Sequence, residues 1–314
     1  MTFLKMFGTR LLSIIPTLIL ASLIVFMLQR LIPGDPANAI AGEYATPERL
    51  AEIRGELGID KPLWLQYLSW IGNALTGNLG VSFMTGQSVT SLIAERLPVT
   101  ILLTTFGLIV GVVIGLPTGV YAASRAGGRL DRILTSAATL GLALPNFWVG
   151  MILILVFSIT LGWLPGPGGP LFSSDPLGSI QSMLLPAVAL GLVGGAEICR
   201  QVRSAMIEDL GSDHVRTLRA KGLPGMQVLW HHALKNSSLP FLTIVGLQIS
   251  RLLSASVVVE TVFGLSGLGT LIVTATNQRE YMVVQGVVLV MAVLVVFTNF
   301  IVDMLYRVLD PRIK

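Results

Sequence analysis

The chain has 314 residues, 53% of them hydrophobic and only 12% charged, with a formal net charge of +4. A soluble domain carries about 25% charged residues, so this composition cannot cover a water-exposed surface, and lipid must be much of the solvent. The small positive charge is informative through its placement and gives no sign of nucleic acid as a partner; with Cys199 as the one cysteine, no intrachain disulfide can form.

An α-helix needs roughly 20 apolar residues to cross the hydrocarbon core. The first such run, Leu11–Leu31, lacks a small-residue cleavage site after it and reads as a retained span. The stretch 32–98 that follows carries helix signals of its own. Thr46 suits an N-cap, Pro47 the first helical position and Gly58 the stop, with Leu50, Ile53 and Leu57 on one face. Pro62 to Leu75 holds Trp64, Tyr67 and Trp70, which favour a membrane–water interface. Five more apolar runs follow: Val99–Ala123, Leu134–Leu161, Leu184–Ile198, Leu239–Val262 and Val283–Leu305. The expectation is an all-α membrane protein with six transmembrane helices, organised as 1–31, 32–98 and 99–314.

Lys and Arg placement sets the orientation. Lys5 and Arg10, then Arg125, Arg129 and Arg132, then the cluster from Arg200 to Lys235, and finally Arg307, Arg312 and Lys314 fall on alternate loops. The loop 162–183 has no Lys or Arg, and 263–282 has only Arg279. Both termini and the 206–236 loop are therefore expected in the cytoplasm, and 32–98 outside.

The 206–236 loop is polar and too short for a domain. Ser212 can cap a helix in which Val215 and Leu218 share a face, Gly222 can end it in the left-handed conformation, and Pro224 can start a second, with Met226, Leu229, Trp230 and Ala233 apolar. Such an element would offer an apolar ridge to a cytosolic partner; a plain connecting loop fits the residues equally well. The three histidines, His214, His231 and His232, sit here without metal-ligand spacing, and no phosphate-binding loop occurs in the chain. No metal, cofactor or catalytic residue is therefore expected.

Arg251 is the sharpest anomaly, near the middle of the fifth run. An Arg at a helix centre costs about 2.5–3.5 kcal/mol on insertion scales and normally faces the bundle interior or water. It can line a pathway and attract a peptide carboxylate, or pair with Gln248, a backbone carbonyl or another subunit. Asn299 suits a hydrogen bond between helices.

The chain also resembles the B-type permease of dipeptide/oligopeptide ABC importers, the family that includes nickel and glutathione permeases. The matching segments run in order from Leu31-Ile32-Pro33-Gly34-Asp35-Pro36-Ala37, through Leu57-Gly58-Ile59-Asp60-Lys61-Pro62-Leu63, Gly77-Asn78-Leu79-Gly80-Val81-Ser82, Arg96-Leu97-Pro98-Val99-Thr100 and Pro145-Asn146-Phe147-Trp148-Val149-Gly150, to Asp310-Pro311-Arg312-Ile313-Lys314. The resemblance implies a type I importer fold in a bacterial inner membrane. It implies a second, C-type permease, two cytosolic ATP-binding subunits and an extracytoplasmic binding protein as partners. Val215, Arg216, Leu218, Ala220, Lys221, Gly222 and Leu223 resemble the loop that docks on the ATPase, although Leu218 stands where Ala is usual. Glu260, Phe263, Ser266 and Gly267 resemble a re-entrant segment beside the gate, with Ser266 in place of the usual Pro, and Arg251 joins them as a pathway residue. A secondary transporter would instead show inverted repeats, and none is visible.

Overall fold

The computed structural model describes residues 14–27, 37, 46–170 and 174–309. Among the described residues every regular element is helical, apart from one isolated bridge between Val81 and Ser88.

The chain divides into two compact units. One holds the described residues up to Leu97 together with Thr270–Val296. It begins with α1 (Ile14–Met27). In α2 (Pro47–Leu57) the Thr46 hydroxyl accepts the Arg49 amide at 3.3 Å, and Gly58 closes the helix at φ 65°. The expected apolar face is partly visible: Ile53 is buried and Leu50 half-buried, while the Leu57 side chain lies outside the described residues. In α3 (Leu63–Leu75) Tyr67 meets Phe26 of α1 edge-on at 5.6 Å, its hydroxyl shares a 2.9 Å hydrogen bond with Ser22, and Trp70 lies 6.0 Å from Phe26. Burying aromatic area against α1 gives two of these rings a packing role, whereas Trp64 stays 64% exposed.

α4 (Val89–Ser124) starts ten residues earlier than hydropathy suggested, because Thr90, Ser91, Glu95 and Arg96 are polar yet helical. A membrane helix tolerates Pro98 and Pro117 inside it.

The second unit holds Pro98–Gly269 and the described residues from Phe297. Here the expected span Leu134–Leu161 is broken by a sharp bend. α5 (Arg129–Ala143) ends at Leu144 and meets α6 (Asn146–Leu153) at a 101° bend, and α6 continues as a π-wound stretch, Ile154–Thr160. Pro145 is the cause: its ring drives Leu144 out of the helical region to φ −88°, ψ 129°. After α7 (Pro176–Ser182), α8 (Leu184–Leu210) outruns its predicted end at Ile198, again through helical but polar residues such as Arg200 and Gln201. Then come α9 (Asp213–Ala220), α10 over 225–236, α11 (Ser238–Phe263), α12 (Leu268–Asn277) in the first unit from Thr270 on, and α13 (Tyr281–Leu309).

By length and composition, four described helices can cross a membrane, or five if the bent α5–α6 pair counts as one; α1 is shorter. α8 is the axis of the second unit. In its most apolar window 67% of residues are buried, against 17% in α13.

α4 meets α8 along a glycine ladder. Gly107, Gly111, Gly115 and Gly119 recur every four residues, so they share one helix face. A Cβ at these positions would lie 3.1 Å from Leu190 Cβ, 3.2 Å from the Gly191 carbonyl oxygen, 2.8 Å from Ile198 Cβ and 2.8 Å from the Cys199 carbonyl oxygen. Backbone therefore packs on backbone, the close approach that small residues permit in membranes. Around this seam, Leu103, Leu190, Met183 and Val259 form a buried core with Leu252 and Phe263. Asp131 of α5 ties that helix to α8. Arg203 Nε donates to its Oδ1 at 2.5 Å and Arg203 Nη2 to its Oδ2 at 2.8 Å, while the Gly127 amide and the Thr135 hydroxyl also donate to it. Asn299 of α13 accepts the Ser250 hydroxyl at 3.1 Å, the interhelical bond its sequence position suggested.

Candidate functional site

Three constellations in the second unit carry the residues singled out by sequence. The first is the α9–α10 element. The Ser212 hydroxyl accepts the Val215 amide at 3.4 Å to start α9. At its end Gly222 stands at φ 79°, its amide bonded to the Arg219 carbonyl at 3.0 Å, while the Leu223 amide reaches the Leu218 carbonyl at 3.3 Å. This is the paired Schellman closure, in which the residues at Leu218 and Leu223 commonly make an apolar contact. Both are half-buried, so the unusual Leu218 has a local reason. Pro224 sits at the cap of α10, one residue before its first turn, and the middle of α10, Val228–Ala233, is wound as π.

The apolar ridge expected to face a partner is largely turned inward. Val215, Val228 and Ala233 are buried. Trp230 stands edge-on to Tyr121 of α4 at 6.2 Å, and with Leu229 and Leu234 it packs on the cluster of Val120, Ile198, Val202 and Met206. What the element presents outward is Arg216, Arg219, Ala220, Lys221 and Gly222, with Met226 as an exposed apolar tip. Apolar burial anchors the element to its own bundle and leaves a basic rim free. The Arg216–Asp213 pair on that rim, at 3.0 Å and largely exposed, adds little stability.

The second constellation is the α11–α12 junction. Gly264, at φ 61°, ends α11, and the Leu265 amide returns to the Glu260 carbonyl at 2.9 Å. The Glu260 side chain is fully buried. Its Oε1 accepts the Thr100 hydroxyl at 2.8 Å and its Oε2 accepts the Gly269 amide at 2.7 Å. The Thr100 oxygen in turn accepts the Leu268 amide at 2.8 Å. A carboxylate at the first turn of α12 satisfies amides that have no partner within the helix and faces the positive end of its dipole. A Cβ at Gly267 would lie 2.8 Å from Glu260 Oε1, so the turn needs glycine there. Phe263 is buried in the main core against Gly150, and Ser266 is half-buried.

The third is Arg251. Its Nη1 donates to Glu197 Oε2 of α8, and Gln248 Nε2 donates to the same oxygen at 3.0 Å. The partner is thus a carboxylate in this chain. Gln248 supports that carboxylate and does not pair with the arginine. The Arg251 side chain is 56% exposed and that of Glu197 21%.

Comparison with known proteins places this geometry in a family. Residues 115–314 match the family described as binding-protein-dependent transport system inner membrane component, and residues 3–104 match the N-terminal region of such membrane components. The chain belongs to this family of transport permeases. A di/tripeptide transport system permease of Pseudomonas aeruginosa is 39% identical, with 99% of each chain covered. A dipeptide transport system permease of Escherichia coli is 38% identical, with 96% of each covered. A solved structure of the inward-facing MetNI methionine ABC transporter covers 70% of this chain and 96% of its own at a TM-score of 0.59 and 19% identity, a likeness of fold. The permease is thus a membrane-embedded transport component with a type I importer fold.

Of the residues expected beside a gate, Glu260, Phe263 and Gly267 are packed inside this permease, and Arg251 faces outward. Sequence reasoning missed Glu197, Asp131 and Arg203. The signal for Glu197 was present: an acid inside one predicted span and an arginine inside another, each too costly to leave alone.

Proposed function

We propose that this permease is one half of the translocation pathway of an ATP-driven importer of di- or oligopeptides. It would work with a second, C-type permease, two cytosolic ATP-binding subunits and an extracytoplasmic binding protein. The observation that carries the reading is likeness over nearly the whole chain to permeases named for dipeptide and di/tripeptide transport. ATP hydrolysis belongs to the partner subunits. The reading counts α1 as a sixth crossing, with both termini and the 206–236 loop in the cytoplasm of a bacterial inner membrane.

A two-state bundle responds only to something that binds its states differently. In this reading, closure of the ATPase dimer pulls on the basic rim of α9–α10, including Arg216, Lys221 and Gly222. Because that element is anchored by Trp230 on α4 and by apolar packing on α8, its displacement carries both helices. Glu260 and Thr100 hold the α11–α12 junction rigid beside the gate.

The test is reconstitution of the permease with its genomic neighbours in proteoliposomes. ATP-dependent accumulation of a labelled dipeptide that also requires the binding protein is expected. Uptake without nucleotide, or a purified permease that associates with no ATPase, overturns the proposal. Binding of nickel or glutathione, with no peptide binding, by the cognate binding protein would replace peptide as the cargo.

A further inference from the structure

We infer that the Glu197–Arg251 pair is a charge-matched subsite that grips the free carboxylate end of a peptide in transit. The inference rests on the permease reading and deepens it.

The argument begins with which face of α11 is uncovered. Thr243, Leu247, Arg251, Ser254, Val258 and Thr261 are exposed and recur at spacings of three and four, a single stripe along the helix. Four of the six are polar. On α13 the exposed described residues are Val293, Phe297, Asn299 and Ile301: three are large and apolar, as lipid requires, and Asn299 is engaged by Ser250 of α11. The two helices thus present surfaces of different chemistry. A stripe with an arginine near its middle does not face hydrocarbon, where its charge would be penalised; in the proposed assembly it is turned to the water-lined path beside the second permease.

The second point is the unused capacity of the guanidinium. Arg251 makes its hydrogen bond through Nη1, to one oxygen of Glu197. A guanidinium carries five N–H donors in a planar fork that matches a carboxylate two-to-two. With the side chain 56% exposed, the remaining edge is open to an arriving carboxylate while Nη1 stays on Glu197. Gln248, buried and bonded to the same Glu197 oxygen, holds that carboxylate in place. Glu197 is thus a positioning residue for the arginine, and its charge offsets the arginine's when no peptide is present. Its second oxygen, outside the bonds from Arg251 and Gln248, offers the opposite charge to a peptide amino group. A short zwitterion complements both members; a peptide amide complements one.

The test uses the complete reconstituted importer, with labelled alanyl-phenylalanine and its C-terminal amide compared at concentrations that saturate the binding protein with each. The expected result is that the wild type imports the free acid about tenfold faster, the scale of a charge-assisted hydrogen bond. In Arg251→Gln the acid-to-amide ratio falls toward one. The double variant Glu197→Arg, Arg251→Glu keeps the ion pair, hence its structural role, but reverses its polarity; it too loses the preference. Arg251→Lys keeps the charge without the fork and falls between. Retention of the wild-type ratio by Arg251→Gln or by the reversed pair overturns the inference, as does a wild type with no preference. A wild-type complex that imports neither probe counts against the permease reading itself, and that is seen before any variant is made.

Discussion

Thr100 and Glu260, 160 positions apart in the chain, share a hydrogen bond of 2.8 Å that ties α4 to α11. The same two side chains receive the Leu268 and Gly269 amides, so they cap α12 together. Thr100→Val removes one hydroxyl at constant shape and leaves a buried amide and a carboxylate oxygen short of a partner. The expected loss is about 1–3 kcal/mol. Thr105→Val serves as the comparison, since its exposed hydroxyl only back-bonds to the Ile101 carbonyl and its loss is close to neutral. Thermal unfolding of the two variants in detergent measures the difference.

The glycine ladder predicts a strong position dependence. Gly115→Ala places a methyl 2.8 Å from Ile198 Cβ and still nearer the Gly195 backbone, so α4 and α8 must part. Overpacking of this kind costs about 1–3 kcal/mol. Gly72→Ala in α3, where nothing lies within 4 Å of the added carbon, gains about 0.5–1 kcal/mol from helix propensity. Opposite signs in melting temperature are the expected readout.

Gly222 isolates a backbone effect. Its φ is 79°, yet an added Cβ would meet nothing within 4 Å. Substitution therefore costs conformation and not space, about 1–2 kcal/mol for an ordinary L-residue. Gly222→Asn, which tolerates this region better, should retain more coupling than Gly222→Val. The ratio of peptide imported to ATP hydrolysed in the reconstituted complex ranks them, with the protein's melting temperature as a control for global damage.

The Asp131–Arg203 pair predicts non-additivity. Asp131 is buried, and the carboxylate takes both guanidinium bonds. Arg203→Met alone strands a buried carboxylate and is expected to cost about 3–5 kcal/mol. Adding Asp131→Leu should recover part of that loss, because no charge is then left unpaired. A double-mutant cycle in denaturant measures the coupling.

Features set by neighbours in sequence were legible before the structure. Thr46 and Gly58 bound α2, Ser212 caps α9, and Gly222 turns left-handed, because each depends on a few adjacent residues. Helix ends were less legible. Hydropathy stops where the lipid stops, whereas the α8 backbone goes on to Leu210 through polar residues. The 101° bend at Pro145 was within reach, since proline restricts the residue before it, but the apolar run on either side masked it. Least legible were partners from distant segments. Arg251 announced that it needed one, but only packing brings Glu197 to it across 54 positions. The direction of the α9–α10 apolar face was hidden for the same reason: periodicity gives a stripe without saying what covers it.

The ladder between α4 and α8 also bears on biogenesis. α4 is synthesised before α5, α6 and α7, and α8 comes last of these. Until it arrives, the bare groove along Gly107, Gly111, Gly115 and Gly119 lies open to lipid, with no side chains of its own to fill it. Any nascent helix with a matching run of small residues is a competitor for that groove, so the order of membrane insertion helps decide which mate it finds.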